Sequence, residues 1–149
     1  MKALNADLHC HSTVSDGLLQ PAEVVRRAHG NGVELLALTD HDEMGGLAEA
    51  AREAMGIGLR LVPGTEISVS WTEDQTVHIV ALGFDPHHAP LVEGLERVRG
   101  GRDGRARRIA AELDKAGIHG AYEGARRHVG NPALISRSHF ARYLVELGH

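Results

Sequence analysis

Two histidines one residue apart, His9 and His11, lie in the stretch Asp7-Leu8-His9-Cys10-His11, and Ser12-Thr13-Val14-Ser15-Asp16-Gly17 follows at once. If residues 3–9 form a strand, the side-chain period of two puts His9 and His11 on one face and Cys10 on the other. Two neutral imidazoles converging beside carboxylates are a donor set that a borderline divalent cation such as zinc, manganese or iron selects. A lone His-x-His pair is weak evidence for that chemistry, but further donors recur along the chain. His41 lies in Thr39-Asp40-His41-Asp42, Glu66 follows Pro63-Gly64-Thr65, and His78 is flanked by Val77 and Ile79. His9, His11, Asp16, His41, Glu66 and His78 are therefore the candidate ligands. Nitrogen and oxygen donors from several segments can hold more than one metal, and a carboxylate such as Glu66 can bridge two.

Positioning such donors requires strands whose ends gather on one side. Gln20-Pro21 reads as a helix start, with Glu23 suited to the positive end of the dipole, Val24, Val25 and Ala28 as the apolar stripe, and Gly30 or Gly32 as the stop. Residues 33–39 form a short apolar run that reads as a buried strand. Residues 45–55 predict a second helix with Leu47, Ala50, Ala51 and Ala54 on one side and Gly56 and Gly58 as terminators. Strand character resumes over 59–62, and Pro63-Gly64 should break or bend it. Residues 65–71 and 76–83 alternate in polarity, and 72–75 can join them as a hairpin. Ile67, Val69 and Trp71 then share one face and Glu66, Ser68 and Ser70 the other, and Glu66 and His78 can face the same side. This order predicts an α/β fold with parallel strands, whose carboxyl ends are where such donors can meet.

Beyond Asp85-Pro86 the pattern changes to helices separated by Gly100-Gly101, residues 117–120 and Gly130-Asn131-Pro132. Two parts are expected: residues 1–88, carrying the metal-site motifs, and residues 89–149, a helical subdomain.

Composition bounds the function. The 149 residues suffice for a buried core, and with aromatics at only 3% that core must come from Leu, Val, Ile and Ala. A net charge of −4 argues against a generally basic nucleic-acid-binding protein, so any polyanion site must be local. One cysteine precludes an intramolecular disulfide, and neither a signal peptide nor a membrane-length apolar run is present, so a soluble cytoplasmic protein is expected. Cys10 itself reads as a small buried hydrophobe.

The motifs Asp7-Leu8-His9-Cys10-His11-Ser12 with Ser15-Asp16-Gly17, Leu38-Thr39-Asp40-His41-Asp42, Pro63-Gly64-Thr65-Glu66 and Val77-His78-Ile79-Val80 together resemble the PHP domain family, named for polymerases and histidinol phosphatases. The resemblance implies a distorted (β/α)7 barrel with a two- or three-metal centre that hydrolyses phosphate esters. It implies His9 and His11 on one metal, Glu66 bridging to a second held also by His78, and Asp16 with His41 on a third. Manganese is the expected ion, with zinc or iron as alternatives. Within the family the chain is similar to a bacterial branch acting on nucleoside bisphosphates or the 5′ ends of short RNA, a branch that inserts a helical segment. The run Ile135-Ser136-Arg137-Ser138-His139-Phe140-Ala141-Arg142 looks like its signature.

Members of the family continue for about as long again and supply further ligands, and a full eight-unit barrel needs ~250 residues. The expectation is therefore the amino-terminal part of a barrel, with an open sheet edge that invites self-association. Two functions follow: a phosphoesterase using a metal-activated hydroxide, or a truncated, catalytically inert metal- or nucleotide-binding module. Arg137 and His139 are the candidate substrate-phosphate contacts, Arg137 through its guanidinium fork. For His139 a structural hydrogen bond is the competing role. Asp7, Asp40 and Asp42 read as partners of the ligands or as loop caps rather than ligands. The run Arg97, Arg99, Arg102, Arg105, Arg107 and Arg108 reads as a solvated helix face, with a phosphate or RNA guide as the alternative. Phe140, Tyr143, Leu144 and Leu147 have the spacing of a core-facing helix.

Overall fold

The structure is a computed structural model and describes residues 3–72 and 75–149, the side chain of Ser70 excepted. Glu73 and Asp74 of the expected hairpin turn, and Ser70 on the expected polar face, lie outside that description. Four strands, β1 (Ala6–Cys10), β2 (Leu35–Leu38), β3 (Arg60–Ser70) and β4 (Thr76–Leu82), form one sheet in chain order. The first three are parallel, and β4 runs antiparallel to β3. Helices α1 (Pro21–Gly30) and α2 (Leu47–Ile57) make the crossovers. After β4 the described residues are helical: α3 (Ala89–Gly100), α4 (Arg102–Lys115), α5 (Ala121–Arg126), a 3-10 turn at Pro132–Leu134, and α6 (Arg137–Glu146).

Local chemistry accounts for most boundaries. Pro21 opens α1, and the Gln20 amide donates to Glu23 Oε2 at 2.9 Å in a reciprocal cap. Gly32, at φ 80°, takes the left-handed turn into β2. Strand β2 is the most enclosed, with Leu36, Ala37 and Leu38 all buried, as a central parallel strand requires. Helix α2 buries Leu47, Ala50 and Ala54, while Ala51 faces an open groove instead of the core. Gly58 at φ 75° ends that helix; Gly56 lies within it.

Of the break or bend expected at Pro63-Gly64, the break does not occur. Strand β3 is continuous, pairing with β2 over Arg60–Pro63 and with β4 over Gly64–Ser70. Proline removes only a donor, and the Pro63 carbonyl still accepts from Gly83 N at 2.9 Å. Glycine at position 64 is demanded by the end of β2: a Cβ there would sit 2.7 Å from Thr39 Cγ2 and 2.8 Å from the Leu38 carbonyl oxygen.

Two apolar clusters result. Val25, Leu36, Leu38, Leu47, Ala50 and Leu59 fill the space between the sheet and α1–α2. Ala106, Ala121, Ala125, Ile135, Phe140 and Tyr143 form the second, among α4, α5 and α6, so two of the few aromatics are in the core after all. Tyr143 lies against Gly124, where a Cβ would come within 2.4 Å of its ring. Leu147 is exposed and not part of the stripe. Among the described residues, no helix is long and apolar enough to cross a membrane.

Candidate metal centre

The far ends of the parallel strands and the inner face of the β3–β4 hairpin bring all six candidate ligands together. Glu66 Oε2 lies 2.8 Å from His9 Nε2, 3.1 Å from His11 Nε2 and 3.5 Å from His41 Nδ1, and Glu66 Oε1 lies 3.4 Å from His78 Nδ1. One buried carboxylate thus faces four imidazoles. Their rings form a chain, His9 to His11 at 5.1 Å, His11 stacked on His41 at 4.6 Å, and His41 to His78 at 5.1 Å. Asp16 closes the far side, 3.8 Å from His11 Nδ1 and 3.9 Å from His41 Nε2.

Backbone geometry explains the convergence. Beyond β2 the chain keeps extending alongside β3: Glu66 N donates to the Asp40 carbonyl at 3.2 Å and Asp42 N to the Glu66 carbonyl at 2.9 Å. In the β3–β4 register Ser68 is opposite His78, so Glu66, Ser68 and His78 share the inner face. On that face Glu66 and Ser68 are buried, while Val77 and Ile79 on the other face of β4 are exposed. The loop carrying Asp16 is fastened by Asp40, which accepts from Ser12 N (2.7 Å), Ser12 Oγ (2.6 Å) and Ser15 Oγ (2.6 Å). Gly17 fits only without a side chain, since a Cβ would lie 2.3 Å from the His11 carbonyl oxygen. Asp40 is therefore a loop cap and touches no imidazole through these bonds, and Asp7 accepts from His9 N at 3.3 Å.

The donor set fits divalent cations. His11 Nδ1 and His41 Nδ1 are buried without a hydrogen-bond partner, which costs free energy unless something accepts their lone pairs. Burial holds the His41 imidazole below its ordinary value, against the pull of Asp16 and Glu66, so the ring is in the neutral form that ligates metal. Burial raises Glu66 and Asp16, but neighbours outweigh it and leave both carboxyls below the usual range: His9 and the other imidazoles for Glu66, Ser138 and the imidazoles for Asp16. The ligating atoms fall into three groups, His9–His11–Glu66, His11–Asp16–His41 and His41–Glu66–His78, each within 4.8 Å internally. These groups contain the three pairings expected from the motifs, and add His11 to the third and His41 to the second. Cys10 stands apart: its thiol donates to the Ala37 carbonyl at 3.2 Å and is pushed up to about 12, first by burial and then by Asp7 and Asp40.

A cavity of about 190 Å³ opens beside His41, His78 and Asp16, and its other wall is helical: Arg102, Arg105, Arg137 and Ser138 contribute polar groups. The reading of the arginine run as a solvated face needs correction. Arg97, Arg107 and Arg108 are exposed, but Arg102 is buried on Asp42, and Arg105 is half-buried with its guanidinium pushed down by burial and then by Arg102 and Arg137. With Arg102 neutralised by Asp42, Arg105 and Arg137 are the cations left facing the cavity, and they are suited to an anion. Ser138, which residue-type reasoning passed over, donates to Asp16 Oδ2 at 2.8 Å, and Arg142 donates to the Asp16 carbonyl. Arg137 lines the cavity; His139 does not. His139 is buried at the start of α6, where Nδ1 accepts from Ser136 N at 3.0 Å, and burial keeps its ring neutral. Its geometry is that of a helix cap, not of a phosphate contact.

A curled, half-barrel α/β sheet with imidazoles and carboxylates gathered at its strand ends defines a metal-site protein of the barrel type. The chain belongs to the PHP domain family, whose model matches residues 7–96. It is 54% identical over 144 residues to a 3′,5′-nucleoside bisphosphate phosphatase of Chromobacterium violaceum, covering 97% of this chain and 50% of that one. It is 46% identical over 142 residues to a 5′-3′ exoribonuclease of Haemophilus influenzae, covering 95% and 51%. Among solved structures it superposes with TM-score 0.92 (53% identity, 97% of this chain, 50% of the other) on a C. violaceum protein described as an amidohydrolase with bound sulfate and no metal. It superposes with TM-score 0.85 (32% identity, 99% and 51%) on a Bifidobacterium adolescentis protein given the provisional description of a metal-dependent phosphoesterase. The chain spans about half the length of each of these relatives.

Proposed function

We propose that this chain carries the metal-binding half of a phosphoesterase that hydrolyses a phosphate ester of a phosphorylated nucleotide, either a nucleoside bisphosphate or the 5′ end of a short RNA. One observation carries the reading: four imidazoles surround the Glu66 carboxylate, with two buried ring nitrogens left unpartnered, at the mouth of an arginine-lined cavity. His9, His11, Asp16, His41, Glu66 and His78 would hold the cations. When bound, such ions supply a water acidic enough to react at neutral pH and neutralise phosphoryl charge. Nitrogen and carboxylate donors together suit manganese, and equally zinc or iron.

The chain's own residues do the rest. Arg137 and Arg105 bind a phosphate opposite the imidazole wall, since guanidinium forks match phosphate oxygens. Ser138 and Arg142 hold Asp16 in place from the helical side. The helical segment 89–149 has its own apolar cluster and supplies the second wall of the cavity, and the lone thiol fits the reducing cytoplasm. The open edges of the sheet, β1 and β4, are where a second chain would pair.

The test is metal content of the purified chain together with hydrolysis of a nucleoside 3′,5′-bisphosphate and of a 5′-phosphorylated oligoribonucleotide, before and after Mn2+ addition. Metal-dependent phosphate or nucleotide release, lost in His11→Ala, supports the phosphoesterase and shows which substrate class is preferred. Metal uptake without turnover would instead support a catalytically inert binding module.

A further inference from the structure

Asp42 and Arg102 are a fully enclosed ion pair with no place in the proposed chemistry. Asp42 follows His41 and adopts φ 52°, a left-handed conformation that non-glycine residues seldom take without reason. Its groups are all engaged. The amide donates to the Glu66 carbonyl at 2.9 Å, Oδ1 accepts from Ser68 N at 2.6 Å, and Oδ2 accepts from Arg102 Nε at 3.1 Å and also from Arg102 Nη2. Its carbonyl accepts from Arg99 Nη1 at 2.6 Å, and Arg102 Nη2 also reaches Ser68 Oγ at 3.4 Å. A single residue therefore ties together the loop bearing His41, the strand bearing Glu66, the Ser68 position opposite His78, and the α3–α4 junction.

We propose that Asp42 and Arg102 are positioning residues that set the cation affinity of the His41–Glu66–His78 group. The pair holds the left-handed turn that aims His41 at Glu66, and through Ser68 it fixes the register that brings His78 to the same carboxylate. Arg102 thereby makes the grip on metal depend on the docking of α4. This inference rests on the metal-centre reading above.

The experiment titrates the metal-free 149-residue chain with Mn2+, following loss of the free-ion electron paramagnetic resonance signal, with circular dichroism reporting the fold. The unaltered chain is compared with Asp42→Asn, Arg102→Lys and the double variant Asp42→Asn/Arg102→Met. Asp42→Asn and Arg102→Lys should weaken one Mn2+ site by about 10-fold or more, the scale for residues that orient ligands. The double variant buries no unmatched charge, so its melting should approach that of the unaltered chain while its Mn2+ binding stays weak. Recovery of both properties in the double variant, or unchanged Mn2+ binding in folded Arg102→Lys, would overturn the proposal and leave the pair a purely structural one. If the unaltered chain takes up no Mn2+, the metal-centre reading falls and this inference with it; if it does and the variants match it, only the positioning role falls.

Discussion

The sheet segment from β1 to β4 and the helical segment from α3 to α6 both direct polar groups at one cavity, but with opposite charge and different support. On the sheet side, Glu66 and four imidazoles face inward, held by backbone: parallel ladders, the strand-like run 40–42 and the hairpin register. On the helical side, Arg102, Arg105 and Arg137 face inward from α4 and α6, held by side chains and by the packing of Phe140 and Tyr143. A cation site needs donors fixed to tenths of an ångström, which a ladder supplies; an anion site tolerates the longer reach of guanidinium groups. The lesson is a division of labour in which ligands for metal are built on strands and contacts for phosphate on helices, with Asp42–Arg102 as the buried seam.

The largest effect should come from the sheet side. Replacing Glu66 with Ala removes the carboxylate common to two of the three ligand groups, and Mn2+ affinity should fall by more than the ~10–100-fold seen for residues that merely orient ligands. Atomic absorption on dialysed protein checks this, and retained metal would break the assignment of the centre to the sheet. On the seam, Arg102→Met leaves Asp42 buried without its partner and should cost about 3–5 kcal/mol of stability by urea unfolding. Within the helical side, Gly124→Ala drives a methyl into the Tyr143 ring and should cost about 1–3 kcal/mol while leaving metal content unchanged. Loss of metal in that variant would mean that the two sides are not separable. Arg137→Ala should raise KM for a bisphosphate substrate far more than it alters metal content, and equal loss of metal would count against its role as a phosphate contact.

The smallest effect concerns pH. His139 is held neutral in the folded chain by burial, with Arg142 adding to the effect, while the unfolded chain takes up a proton near pH ~6.5. The unfolded state then binds more protons in acid, so this contribution is complete above that pH and is lost as pH falls below it, at no more than about 1.4 kcal/mol per pH unit for one proton. His139→Gln should flatten the acid limb of the stability curve relative to the unaltered chain. An identical slope would show that His139 is not buried neutral.

The sheet side was the more legible in sequence, for a physical reason. Strand periodicity and the placement of His9, His11, His41, Glu66 and His78 at strand ends fix where side chains point, so their meeting could be argued from spacing alone. At Pro63-Gly64 a break or a bend is expected because proline and glycine usually punctuate a strand; no break occurs, since the change of partner at that point uses both. The helical side was legible as helices, but not in its contacts. Six arginines at helical spacing look alike in sequence, and nothing local marks Arg102 as the one that meets Asp42, 60 residues away. His139 was ambiguous for the same reason: the capping pattern that engages it depends on where Ser136 stops being extended. Among the described residues, the exposure of Val77 and Ile79 on the face opposite a buried Glu66 reverses the usual burial of a strand's apolar face, which only the three-dimensional arrangement shows.

The most direct test of the central claim is the number of Mn2+ ions bound by the metal-free chain at equilibrium. The account predicts two or more per chain, because three overlapping donor groups share Glu66, His11 and His41. Uptake of one ion or none, by a chain that is folded by circular dichroism, would contradict it.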